Sequence, residues 1–152
     1  MAGVSSEVPE LPVVWRPRRG RLVTHSFAVI VLVVVVTLAV VVPYTWHLPD
    51  RLGIVAVGAA VSWVLYMLGR VRLVAEPEGL TVVNVFRTSE LEWAEVLGAA
   101  LNDGDPWVML DLDDGETLPA MGIQASDGDR AVTAVAQLRA LITVHGEAGA
   151  QA

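Results

Sequence analysis

Cysteine is absent from the 152-residue chain, which removes disulfides, thiolate zinc sites, iron–sulfur ligation and a cysteine nucleophile at once. Lysine is absent as well. All ten basic residues are arginines: Arg16, Arg18, Arg19, Arg21, Arg51, Arg70, Arg72, Arg87, Arg130 and Arg139. Together with the richness in alanine, valine and glycine, this reads as the codon bias of a high-GC genome and carries no mechanism. Histidine is scarce too. His25, His47 and His145 fall at the edge of an apolar run, in a short loop and in the C-terminal tail, so neither a zinc site nor an acid–base dyad can be assembled from them. With no set of nucleophile, base and orienting group in view, the sequence predicts a chain that is not an enzyme and uses no cofactor.

What is present is apolar. The hydrophobic fraction is 54% although the net charge is -7, and the two properties are segregated: apolar residues crowd between Phe27 and Leu68, acids after Glu76. Residues 27–42 (FAVIVLVVVVTLAVVV) contain no charge and one hydroxyl, Thr37. With their edges, about 26–46, they can cross a hydrocarbon layer roughly 30 Å thick as a helix. Valine favours strands in water, but within lipid only a helix satisfies its own backbone, so hydrophobicity outranks propensity. A second uncharged run, 52–69, lies between Arg51 and Arg70 and carries Trp63 and Tyr66 towards its far end. Gly58 and Ser62, and likewise Ala56 and Ala60, are small residues four apart, a spacing that allows close helix packing against the first helix or another subunit.

The linker 43–51 holds two prolines and the interface-favouring Tyr44 and Trp46, so 22–70 is predicted to be a transmembrane hairpin. Arg16, Arg18, Arg19, Arg21, Arg70 and Arg72 flank the hairpin, whereas its loop offers Arg51 beside Asp50. The positive-inside rule then predicts a multi-pass plasma-membrane protein with cytoplasmic N- and C-termini, those six arginines acting as topology determinants at the anionic inner leaflet of the lipid bilayer. Trp15, just before them, is expected to rest at the membrane surface. A cleaved signal peptide fits poorly, because the run is too long and no small-x-small site precedes Pro43. The segment 1–21 is expected to be a disordered, basic N-terminus and 145–152 a disordered tail.

After Arg70 the pattern turns to short β-type runs, 71–75 and 80–86, joined by a turn at Glu76-Pro77-Glu78-Gly79. Residues 107–112 alternate, with Val108, Leu110 and Leu112 on one face and Trp107, Met109 and Asp111 on the other. Asp113-Asp114-Gly115 closes a hairpin onto 116–121. A final amphipathic helix, with Ser126 or Asp127 as its cap, aligns Ala131, Val135, Leu138 and Ile142, with Ala134 and Leu141 beside them. The fold class is therefore α+β, with a β-meander closed by a C-terminal helix over 71–144.

The order of WRPRRGRL, a hydrophobic hairpin, EGLTVVN, LEWAEV, PWVMLDLDDGETLPAMGIQASD and an Ala/Leu helix resembles the actinobacterial membrane-anchored bacterial pleckstrin-homology (PH) domain proteins, the group named for low molecular weight protein antigen 6. The resemblance spans residues 15–144. It implies a PH-like, partly open β-barrel capped by the last helix.

The best-known PH domains hold inositol phosphates with basic residues at the first strand-to-strand loop. That loop is read here as Glu76-Pro77-Glu78, and acids outnumber Arg72, Arg87, Arg130 and Arg139 beyond Val71. Phosphoinositide binding is therefore not expected, and neither is nucleic acid. Asp111, Asp113, Asp114 and Glu116 miss the alternating oxygens of a calcium loop and read as a solvated turn. Trp93 is expected in the core, and Trp107 with Met109 on a possible partner surface. The leading expectation is a non-enzymatic adaptor presenting the domain to a protein partner. The alternative is an accessory subunit of a membrane complex acting through its helices, Gly58 and Ser62 above all.

Overall fold

A computed structural model of the chain describes residues 8–43 and 45–149. It contains two compact units. One is Gly20–Arg70; the other combines the residues up to Arg19 with those from Val71 onward.

The first unit is a helical hairpin. Helix α1 (Arg18–Val41) starts ahead of the expected position 26 and ends short of 46, so Arg18 to Arg21 of the segment expected to be disordered are helical, and α2 (Leu48–Leu68) starts ahead of the expected position 52. The reason lies in the turn. Asp50 Oδ2 accepts from His47 N–H at 3.0 Å, satisfying an otherwise orphaned donor at the helix N-terminus, and Pro49 suits the first turn because its missing N–H costs nothing there. Arg51 reaches back and donates to the Val42 carbonyl at 3.0 Å, placing its charge at the negative end of α1. Trp46 is exposed beside this turn, and Tyr44 lies outside the described residues.

Ala28, Val31, Val35 and Ala39 are among the less exposed positions of α1, as are Ile54, Val55, Gly58, Ser62 and Leu65 of α2. Gly58 is buried, and a Cβ there would stand 2.6 Å from Val35 Cγ1. Ser62 Oγ donates to the Ala28 carbonyl at 3.1 Å. Of the two small-residue pairs in the sequence, Gly58/Ser62 thus makes the contact between the two helices. Ala56 and Ala60 face outward.

The second unit departs from the expected boundaries. Residues 13–15, assigned from sequence to a disordered segment, form strand β1 (Val13–Trp15), whereas Met1 to Glu7 of that segment lie outside the described residues. β1 pairs antiparallel with β2 (Arg72–Glu76) in the register Val13↔Ala75 and Trp15↔Leu73. The domain is therefore not 71–144 alone: the helical hairpin is inserted between its first and second strands. β3 (Gly79–Val83) and β4 (Thr88–Glu92) complete a four-stranded sheet in the order β1-β2-β3-β4. β5 (Val96–Ala100), β6 (Trp107–Leu112) and β7 (Thr117–Gln124) form a second, three-stranded sheet. A 3-10 turn, Trp93–Glu95, connects the sheets.

The alternation expected on β6 is present: Val108 and Leu110 are fully buried, Leu112 packs against the core from its edge, and Asp111 is exposed. Gly115 adopts φ +83 at the Asp-Gly turn, where Asp114 Oδ1 accepts from Glu116 N–H at 2.8 Å. Helix α3 (Asp129–Gly149) lays Ala131, Ala134, Val135, Leu138, Leu141 and Ile142 on the core, the stripe that its spacing predicts. Its start differs from expectation. Ser126 and Asp127 belong to a separate 3-10 turn, Ala125–Asp127, that Gly128 ends at φ +61, so Gly128 and not either of them stands directly before α3. Its end differs too, since His145 remains helical and α3 runs to Gly149, where the sequence suggested a disordered tail; Ala150 to Ala152 lie outside the described residues.

Trp15 corrects another expectation. It is 8% exposed, part of the core, and its Nε1–H donates to Gln137 Oε1 on α3 at 3.3 Å, so β1 is held from the side as well as along its edge. The sheets approach most closely at Gly122 of β7, where a Cβ would strike the backbone of Arg72 and Leu73 in β2.

Replacing Trp15 with alanine is expected to destabilise this unit by about 3–5 kcal/mol, the usual cost of deleting a buried large aromatic. Chemical denaturation monitored by the remaining tryptophans measures it, and a loss under about 1 kcal/mol would show that β1 is dispensable. Gly122→Val is expected to cost at least as much, because the obstruction is backbone and cannot rotate away; a cooperative melt at the wild-type temperature would refute the close approach of β2 and β7.

Candidate functional site

Within the four-stranded sheet, arginines and most of the glutamates lie towards opposite ends. At one end are Trp15 and Arg16 at the close of β1, Arg72 at the start of β2, and the β3–β4 turn, because Arg72 pairs with Val83 and Val83 with Thr88. At the other end are Glu76 and Glu78 at the β2–β3 turn and Glu92 at the close of β4, since Glu76 pairs with Gly79 and Gly79 with Glu92.

The acidic end is built around Trp93. Its Nε1–H donates to the carbonyls of Glu76 at 3.0 Å and Pro77 at 3.2 Å, pinning the β2–β3 turn. The ring is 6% exposed, as expected of a core residue, and stacks on His145 with centroids 4.8 Å apart and planes 17° from parallel. Glu95 Oε2 accepts from Glu92 N–H at 2.7 Å, so one carboxylate is spent on the 3-10 turn. Glu76, Glu78, Glu90, Glu92 and Glu95 surround an open depression of about 460 Å³. Among the described residues no group of three or more histidine, aspartate or glutamate side chains is placed to hold a metal ion.

The arginine end holds most of the residues singled out from sequence. Arg16, Arg18, Arg19, Arg21 and Arg70 are exposed and Arg72 is half-buried within β2. Because β1 precedes the helices, the first strand-to-strand connection is the helical hairpin itself, with these arginines at its two feet. Glu76-Pro77-Glu78 is the second connection. The loop comparison drawn from sequence was therefore misplaced by one strand, and the acidity of Glu76 and Glu78 says nothing about ligands at the first connection.

On the three-stranded sheet, Trp107 and Met109 of β6 are half-buried, Met109 opposite Ala100 and Pro119 and Trp107 opposite Gln124. Sequence reasoning placed these two on one face, and the strand brings them there.

It missed Asn84 and Phe86. The apolar run LTVVNVF suggested a strand through Phe86, yet β3 stops at Val83. Asn84 N–H donates to the Arg87 carbonyl at 2.9 Å, closing a turn with Val85 and Phe86 at its tip. The Asn84 side chain donates through Nδ2 to Pro119 O at 2.7 Å and accepts at Oδ1 from Met121 N–H at 3.1 Å, which ties the root of the turn to β7. A polar residue at the centre of an apolar run was the signal that could have found this turn.

Residues 70–141 match the family model described as "Bacterial PH domain". Uncharacterized proteins of Mycobacterium tuberculosis and Mycobacterium bovis are 36% identical over 93 residues, 61% of this chain and 60% of theirs. The match thus spans about three-fifths of the length of these curated relatives. No solved structure matches the chain significantly. Two antiparallel sheets and a closing C-terminal helix agree with the match to a bacterial PH domain over residues 70–141, to which the structure adds the strand that precedes the helices.

Proposed function

We propose that the chain is an integral membrane protein of the plasma membrane in which the hairpin spans the bilayer and the PH domain is displayed on the cytoplasmic side as a non-enzymatic adaptor for a protein partner. The observation that carries the membrane part is the uncovered surface of the hairpin. Both helices are long and apolar enough to cross a bilayer, yet none of the most apolar window of α1 and 6% of that of α2 is buried. A helix from a soluble core would bury its apolar surface. Val29, Ile30, Val33, Val40 and Val57 instead point outward, each more than half exposed, an exposure that suits a hydrocarbon surrounding over this length.

The aromatic residues support the same reading. Trp63 and Tyr66 lie with ring centroids 6.0 Å apart, and His25 meets Tyr66 edge-on, at the arginine-flanked end of the hairpin, while Trp46 marks the loop end, as expected of groups seated at two interfaces. The loop's one arginine, Arg51, is committed to the α1 carboxyl end, so free positive charge concentrates at the other end, favouring cytoplasmic termini. Cleavage of α1 as a signal peptide would discard β1 and its buried Trp15.

The adaptor part rests on the absence of an assembled reaction centre in the sequence and on the half-buried Trp107 and Met109, which share the face of β6 opposite Val108 and Leu110. The alternative, an accessory subunit acting through Gly58 and Ser62, loses its motivation because both residues are occupied by α1.

Alkaline carbonate washing is expected to leave the chain in the membrane pellet. Chemical crosslinking in membranes should recover the same neighbouring protein when the hairpin is exchanged for an unrelated one, and should lose it in a Trp107→Ser, Met109→Ser variant. Release by carbonate defeats the membrane reading, and a neighbour that follows the hairpin defeats the adaptor reading.

A further inference from the structure

Phe86 is 84% exposed, the most exposed of the large hydrophobic residues described. A phenylalanine so placed in water normally collapses onto its neighbours. Here the turn cannot easily fold back, since Asn84 is bonded through backbone and side chain at its root and fixes the tip in space. Arg87 follows it, also exposed.

The position of this turn gives the tip a use. The register of β1 to β4 places it at the end of the sheet where Trp15-Arg16 leaves for α1 and where Arg70-Val71 returns from α2. Both connections are a few residues long, so with the helices in the bilayer this end of the sheet is held within reach of the headgroups. The other end, with Glu76, Glu78 and Glu92, is the one that an anionic surface repels.

We propose that the Val85-Phe86-Arg87 turn is an interfacial anchor: Phe86 inserts among the acyl-chain ends of a bilayer containing anionic phospholipid, and Arg87, with Arg16, meets its phosphates. The inference rests on the membrane reading above and adds to it a second, peripheral contact with lipid made by the PH domain itself. An apolar tip flanked by a basic residue suits the boundary between headgroups and chains, and the long arginine side chain can keep its charge in the headgroup layer while its stem lies in apolar surroundings.

The absence of cysteine makes the test direct. Single-cysteine variants Phe86→Cys, Glu78→Cys and Val57→Cys of the full chain are spin-labelled and reconstituted into vesicles of phosphatidylcholine and phosphatidylglycerol. Collision rates are then measured with oxygen, which partitions into lipid, and with a water-soluble nickel chelate. The expected result is a label at 86 several-fold less accessible to nickel than the label at 78, and richer in oxygen contact, with the label at 57 fully lipid-embedded. In phosphatidylcholine alone the protection at 86 should fall, and undiminished protection there would overturn the assignment of anionic lipid as the partner. Nickel access at 86 equal to that at 78, while 57 stays in lipid, overturns the anchor and leaves the membrane reading standing. Shielding of 86 from both reagents indicates protein contact and overturns the anchor as well. A label at 57 exposed to nickel overturns both readings together.

Discussion

The pairing of Val13–Trp15 with β2 is the interaction on which the rest of the molecule depends. Without it β2 would be an edge strand with Leu73 and Ala75, both fully buried, uncovered along one side. With it, the four-stranded sheet is complete, Trp15 reaches α3, and two stretches far apart in sequence become one domain. The same pairing dictates where the helices can be joined. Antiparallel strands in register bring the exit of the first and the entry of the second to the same end of the sheet, so the arginines before α1 and after α2 are gathered there by hydrogen bonding and not by their sequence positions alone.

That gathering gives the domain an electrostatic axis. Arginines and the Phe86 turn occupy one end; glutamates around the pinned Trp93 occupy the other. The proposed lipid contact follows from this axis, because a negatively charged leaflet attracts one end and repels the other.

Legibility in the sequence tracked the physical strength of each signal. The helices were read from charge-free length, the β6–β7 hairpin from period-two alternation and Asp-Gly, and the stripe of α3 from its 3.6-residue spacing, all patterns that extend over many residues. β1 was missed because three residues between prolines carry no period of their own, and their strand conformation is imposed by a partner far along the chain. Missing it shifted the loop comparison by one strand and misassigned Trp15 to the membrane surface. Ser126 and Asp127 were credited with a cap because local chemistry favours one there, but Gly128 breaks the chain between them and α3. Phe86 was read as strand because apolar character alone does not distinguish a buried position from an exposed tip; the tertiary bonds of Asn84 make the difference. Among the candidate site residues, the arginines were named from their places beside the apolar runs, whereas their clustering at one sheet end required the register.

The insertion of the hairpin between β1 and β2 also sets an order of assembly. During synthesis β1 emerges first, and its partner follows only after all of Gly20–Arg70, a delay on the order of seconds at ordinary translation rates. A waiting strand is an aggregation hazard, and this one is short, preceded by Pro12 and followed by Arg16 and Pro17, features that discourage pairing with a stranger. Once the helices close, with Gly69 against Thr24 and His25, their ends are neighbours and most of the entropy of joining β1 to β2 has already been spent. Completion of the four-stranded sheet thereby reports that the hairpin has formed.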